Sequence, residues 1–167
     1  MNKNIFSYVN PNKGLLLISM LSFSALGFAL ISQHVFDMQP CAWCILQRLI
    51  FVIIGIISLI YYLTGSFLKF GYGLLSLLST AGMTAALYQH FVASKSFDCN
   101  VSLAEKIIST SQLNDIMPNI FGIFGLCADA NPEFFGIPYV IFSFILFLII
   151  SDISVLNLVK MLKGPKV

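Results

Sequence analysis

Charge is what this chain most lacks: Asp, Glu, Lys and Arg make up 10% of its 167 residues, against 58% hydrophobic, where soluble domains carry roughly a quarter charged and about half apolar. That shortage excludes an ordinary soluble domain and implies a membrane protein. The nine Lys and Arg residues leave a net charge of +2 and stand singly, so there is no basic patch to hold nucleic acid, and no nucleic-acid partner is expected. Internal repeats, low-complexity tracts and a second composition regime are also missing, so residues 1–167 are expected to form a single integral membrane domain. No A-x-A-like site follows the first apolar run, which is too long for the core of a cleaved leader, and that run is expected to be retained.

What is abundant is apolar sequence in lengths that cross a bilayer, for which about 20 residues suffice. Four stretches qualify, at about Leu15–Val35, Ile45–Leu63, Tyr72–Val92 and Phe135–Leu156. They predict an all-α membrane protein, a four-transmembrane-helix bundle with a long second outer loop at about Ala93–Phe134. The short links at Phe36–Pro40 and around Gly65 make consecutive helices antiparallel neighbours. Lys3, Lys13, Lys69, Lys160, Lys163 and Lys166 fall on one side and only Lys95 and Lys106 on the other, so both termini are expected to be cytoplasmic. Structureless loops beyond about 12 to 15 residues are uncommon and usually functional or disordered. Within this one, the SLAE stretch at Ser102–Glu105 reads as a capping box, with Leu103, Ile107 and Ile108 as an apolar edge for a short helix on the membrane surface.

This topology puts Cys41, Cys44, Cys99 and Cys127 all on the outer side, in two separate loops. Cys41 and Cys44 lie in the stretch PCAWCILQR, Pro40–Arg48. If the second helix starts near Cys41, with Pro40 suited to its start, both thiols sit in its first turn. There, unpaired N–H groups and the positive end of the helix dipole favour a thiolate. Arg48 follows Cys44 by four residues, on the same face one turn deeper, with a permanent positive charge. Read alone, Arg48 snorkels to lipid headgroups; beside two thiols it anchors an electronegative ligand or stabilises a thiolate. His90, near the outer end of the third helix, would reach the same layer or serve as an interfacial residue. Gln47 and Gln89 read as interhelical hydrogen-bonding groups, and Trp43 as an interfacial anchor.

The spacing of Cys41 and Cys44 also suits zinc, with Cys99 and Cys127 as the further ligands, but Arg48 would oppose a cation and no metal is expected. Cys99 and Cys127 would equally form a stabilising disulfide, and a disulfide-stapled four-span scaffold without enzymatic activity is the main rival reading. Two dithiols on one side, however, can exchange electrons by thiolate attack through mixed disulfides.

With four spans, CAWCILQR opening the second, a cysteine pair in the second outer loop and FFGIPYV leading into the fourth, the chain resembles the bacterial disulfide bond formation protein B family. The resemblance covers nearly the whole chain and departs at Trp43, where an aliphatic residue is expected. It implies a quinone-dependent thiol oxidase of the bacterial inner membrane, with its cysteines periplasmic. Such a protein reoxidises a DsbA-like disulfide oxidase and passes two electrons to a quinone, ubiquinone or menaquinone. By resemblance, Cys99 is the sulfur attacked by the partner, and Cys127 passes electrons to Cys41. Cys44 faces the quinone, Arg48 helps to bind it, and His90 lies near it. A vitamin K epoxide reductase-like oxidase shares the chemistry, but the early position of CAWCILQR argues against it.

Overall fold

In the computed structural model, residues 11–95, 103–112, 117–125, 133–134 and 137–163 are described. The elements run α1 Pro11–Val35, α2 Ala42–Thr64, α3 Leu68–Phe91, a 3-10 turn Ala93–Lys95, α4 Leu103–Thr110, α5 Pro118–Phe121, strands β1 Glu133–Phe134 and β2 Ile137–Pro138, and α6 Tyr139–Leu162. Helices α1, α2, α3 and α6 have 25, 23, 24 and 24 residues, roughly 35 Å each at 1.5 Å per residue. All four are apolar and long enough to cross a membrane, as the hydropathy predicts, and the chain is a multi-pass membrane protein.

Helix ends fall where local chemistry stops or starts them. Gly65 closes α2 in the left-handed conformation, φ 63°, its N–H donating to Tyr61 O at 3.0 Å, a geometry glycine adopts without steric cost. At the other end, Pro40 lies just outside α2, with Cys41 as N-cap and Ala42 as first helical residue. The helix thus starts near Cys41, as expected. The fourth span begins at Tyr139 and not near Phe135, because backbone at 133–134 pairs antiparallel with 137–138 and Pro138 hands directly into the helix, as a residue whose missing N–H costs nothing at a helix start. The same helix runs on to Leu162, beyond the expected end near Leu156.

One buried cluster takes residues from all four spanning helices: Leu15 and Ile18, Phe51 and Ile54, Tyr72 and Leu75, Phe147 and Ile150. The Phe51 and Phe147 rings stack at 4.0 Å across the bundle. Helix α3 lies along α6 most extensively, whereas α1 and α6 touch less, which leaves room between those two. The α3–α6 approach depends on Gly82, where a Cβ would lie 2.5 Å from the Phe147 ring. Gly82→Ala is expected to displace that ring and cost about 1–3 kcal/mol, the scale of overpacking. The check is a thermal melt in detergent, with Phe147→Leu restoring most of the loss.

Candidate active site

The site is built at the N-terminal end of α2. Cys41 is extended (φ −86°, ψ 170°), and its carbonyl accepts the first helical bond from Ile45 N at 3.1 Å. Cys44 is then the third helical residue, among the N–H groups that have no partner within the helix. One turn brings the two sulfurs to 3.4 Å, and they are not joined in a disulfide here. Bond formation needs an approach to about 2.05 Å, which a change of side-chain torsion supplies without unwinding the helix. Cys41 is fully buried, and Cys44 is partly exposed. Trp43 turns the other way and packs its ring on Tyr88 of α3 at 4.7 Å.

Cys44 faces a cavity of about 460 Å³ between α1, α2 and α6, within the range of about 300–1,000 Å³ usual for small-molecule sites. Its walls are largely apolar, with Leu21, Phe28, Phe51, Phe142 and Leu146, and its polar groups gather at the cysteine end, with Cys44, Arg48, Gln47 and Gln89. The wall between α1 and α6 includes Phe28 and Ile145, 47% and 48% exposed, so the cavity reaches the bundle's lipid-facing side. Phe28 and Tyr139 stack across that gap at 6.3 Å.

Arg48 is 7% exposed and does not extend to the surface. Its Nη1 donates to Gln33 Oε1 at 2.5 Å and to Ile120 O at 3.2 Å, and its Nη2 to Ala29 O at 3.2 Å. The snorkelling reading of Arg48 is thus replaced by a buried cation at the cavity wall, held by three acceptors from α1 and α5. Gln47 and Gln89 bond between α2 and α3 as expected, with Gln47 Nε2 donating to Gln89 Oε1 at 2.7 Å. In addition, Gln89 Nε2 donates to Cys44 Sγ at 3.1 Å.

The second loop folds back on this end. Ile45 of α2, Ile108 of α4 and Phe121 of α5 form a second buried cluster. Of the expected apolar edge of α4 only Ile108 is buried, together with Ala104, which is not part of it, while Leu103 and Ile107 are exposed. Ser102 of the predicted capping box lies outside the described residues. The segment after α5 docks on the residue before Cys41, with Phe124 N and Gly125 N donating to Pro40 O at 3.1 and 3.3 Å. Cys99 and Cys127 lie outside the described residues, and Gly125 is two positions before Cys127.

His90 is not among the residues lining the cavity. Its ring meets Phe91 edge-on at 4.9 Å, and its Nδ1 is buried with no hydrogen-bond partner among the described residues. Sequence reasoning missed Gln33, the partner of Arg48, and Tyr139 on the cavity wall. The available signal for Gln33 was an amide inside an otherwise apolar span, where polar groups face protein partners. Among the described residues no cluster of His, Cys, Asp and Glu suited to a metal occurs.

A bundle of four spanning helices with a close dithiol at one end, backed by a buried guanidinium and opening on a cavity at its lipid-facing side, has the build of a membrane-embedded thiol–disulfide protein. Comparison with known proteins narrows this class. The sequence model of the disulfide bond formation protein DsbB family matches residues 11–157, and the chain belongs to that family. Relatives named disulfide bond formation protein B include one from Ralstonia nicotianae, 29% identical over 152 residues, covering 90% of this chain and 96% of the relative. One from Cupriavidus metallidurans is also 29% identical over 152 residues, covering 90% and 94%. Family membership implies a disulfide oxidoreductase role.

Proposed function

We propose that this protein is a quinone-dependent thiol oxidase that reoxidises a periplasmic DsbA-like oxidase and delivers two electrons to a membrane quinone. The observation that carries the reading is the position of Cys44: it borders a mostly apolar cavity reaching the lipid-facing side, with its sulfur 3.4 Å from Cys41. The residues present fit a quinone. Phe28, Phe51, Phe142 and Leu146 suit a flat ring and an isoprenoid tail left in lipid, and Arg48, Gln47 and Gln89 supply polar groups at one end only. Bound there, a quinone would supply an acceptor for two electrons and two protons.

The chain's own part is thiol exchange. A thiolate of the reduced partner attacks Cys99, breaking a Cys99–Cys127 disulfide and releasing Cys127 as thiolate. The partner's second thiol then attacks the mixed disulfide, which frees Cys99 and leaves the partner oxidised. Cys127 attacks Cys41 of an oxidised Cys41–Cys44 pair and releases Cys44. Attack by Cys99 on Cys127 then re-forms the loop disulfide and frees Cys41. The net result is two electrons and two protons moved from the partner to Cys41 and Cys44, which give them up as their disulfide re-forms. Docking of Gly125 on Pro40 O supports the Cys127-to-Cys41 step, since two residues of chain reach at most about 7 Å. Arg48 stabilises negative charge at the Cys44 end of the cavity. The excess of Lys on the side of Lys13, Lys69 and Lys160 supports an inner-membrane orientation with cytoplasmic termini and periplasmic cysteines.

The test is stopped-flow absorbance of the purified full-length protein mixed with a reduced DsbA-type oxidase and a soluble quinone, ubiquinone and menaquinone analogues separately. Quinol formation equimolar with partner disulfide is the expected result. Absence of quinol with every partner and both quinone types would sink the reading and leave the disulfide-stapled scaffold as the better account.

A further inference from the structure

The Gln47–Gln89 pair does more than join α2 to α3. Both side chains are almost wholly buried, at 3% and 4% exposed, yet both border the cavity. Gln47 Nε2 donates to Gln89 Oε1 at 2.7 Å, and this occupies the carbonyl end of the Gln89 amide and turns its NH2 end to Cys44 Sγ at 3.1 Å. Sulfur is a weak acceptor as a thiol or in a disulfide and a strong one as a thiolate, because a hydrogen bond to an ionised group is about twice as strong as a neutral one. A donor fixed at this distance therefore favours the state in which Cys44 carries negative charge. An amide does so without titrating and without bringing a second charge into an apolar wall, where an unpaired charge is costly.

We infer that Gln89 is a catalytic residue of this site, donating a hydrogen bond to the Cys44 sulfur while it is the electron-rich member of the pair, and that Gln47 is the positioning residue that fixes the Gln89 amide in the donating orientation. The inference rests on the thiol-oxidase reading for its role in turnover, but the contact itself is a property of the reduced dithiol and is testable without quinone. Arg48 stabilises the same charge by field; Gln89 does so by a directed bond. The two act from different helices, so their effects separate.

The experiment measures the alkylation rate of Cys44 across pH in the reduced full-length protein, with mass spectrometry assigning the modified cysteine. The variants are Gln89→Leu, Gln89→Glu and Gln47→Leu, each checked for fold by circular dichroism and thermal melt. Gln89→Leu removes the donor, and Gln89→Glu keeps the shape but replaces the NH2 group by an acceptor. Both are expected to slow Cys44 alkylation about tenfold at pH 7, the scale of a hydrogen bond to a charged group, with the rate recovering as pH is raised. Gln47→Leu leaves the donor present but untethered, and about threefold is expected. Where one variant fails to fold, the other two carry the test. Folded Gln89 variants that alkylate as wild type at every pH would overturn the inference, as would slowing that is uniform in pH, which marks a merely structural effect. Wild-type quinone reduction with unaltered alkylation in the variants removes Gln89 and leaves the proposed function standing. A pH-dependent alkylation defect in a protein that reduces no quinone does the reverse.

Discussion

Cys44→Ser is expected to abolish quinone reduction, by at least about a thousandfold, the scale on which removing a covalent nucleophile acts, while leaving the fold intact. Serine fills nearly the same volume and accepts the Gln89 N–H, but its oxygen cannot close a bond to Cys41. The two-electron oxidation at the 3.4 Å sulfur pair then has no product. Cys41 keeps its sulfur at the N-cap of α2, beside the docked Phe124–Gly125 segment. In the variant the Cys41 thiolate has no neighbour to pair with and attacks Cys127 of an intact Cys99–Cys127 disulfide, releasing Cys99 as thiolate, so a Cys41–Cys127 mixed disulfide is expected to accumulate, visible by non-reducing peptide mapping. In Cys41→Ser the remaining thiol faces the cavity instead of the loop, and this adduct should be absent although quinone reduction is lost equally. Turnover that survives in Cys44→Ser, or identical adducts in the two variants, would contradict the division of roles between the cysteines.

The parts of this arrangement that sequence alone makes legible are those set by local chemistry. Four spans follow from runs of apolar residues, and α2 has Cys41 and Cys44 in its first turn because a C-x-x-C pair directly before an apolar run falls at a helix start. The bond between Gln47 and Gln89 is also legible, since amides in an apolar span must find partners. What sequence does not reveal depends on approach between distant segments. Arg48 meets Ile120, 72 positions away, and no pattern around either residue encodes that meeting. The orientation of the Gln89 amide is fixed only once α2 and α3 are side by side. The late start of α6 depends on backbone pairing of 133–134 with 137–138, which hydropathy averages away. His90 illustrates the converse: its position near the end of α3 suggested the cavity layer, but the helix turns Gln89 toward α2, and the next residue lies about 100° round the helix.

The same nonlocal contacts make Arg48 the point where the cavity and the second loop meet. Arg48→Met preserves the apolar stem and removes the donors, leaving Ile120 O, Ala29 O and Gln33 Oε1 without the hydrogen bonds they now accept. Hydrogen bonds to a charged group contribute about 1.5–3 kcal/mol each. Part of that is expected to appear as loosening of α5, because Ile120 is held to the bundle through this guanidinium and through the cluster around Phe121. Amide exchange of Phe121 and Gly122 should rise about tenfold or more in the full-length protein. Quinone reduction should weaken mainly through KM, by about ten- to a hundredfold, since the variant removes the only cation on the cavity wall among the described residues. Arg48→Lys restores charge but not the fork that spans α1 and α5, so it should recover part of KM and little of the exchange protection. An unchanged exchange pattern with a raised KM would make Arg48 a ligand group alone. Faster exchange with normal KM would make it a brace for the loop alone. The geometry, with one guanidinium bonded to both α1 and α5 at the mouth of the cysteine end, predicts that both change together and that lysine separates them.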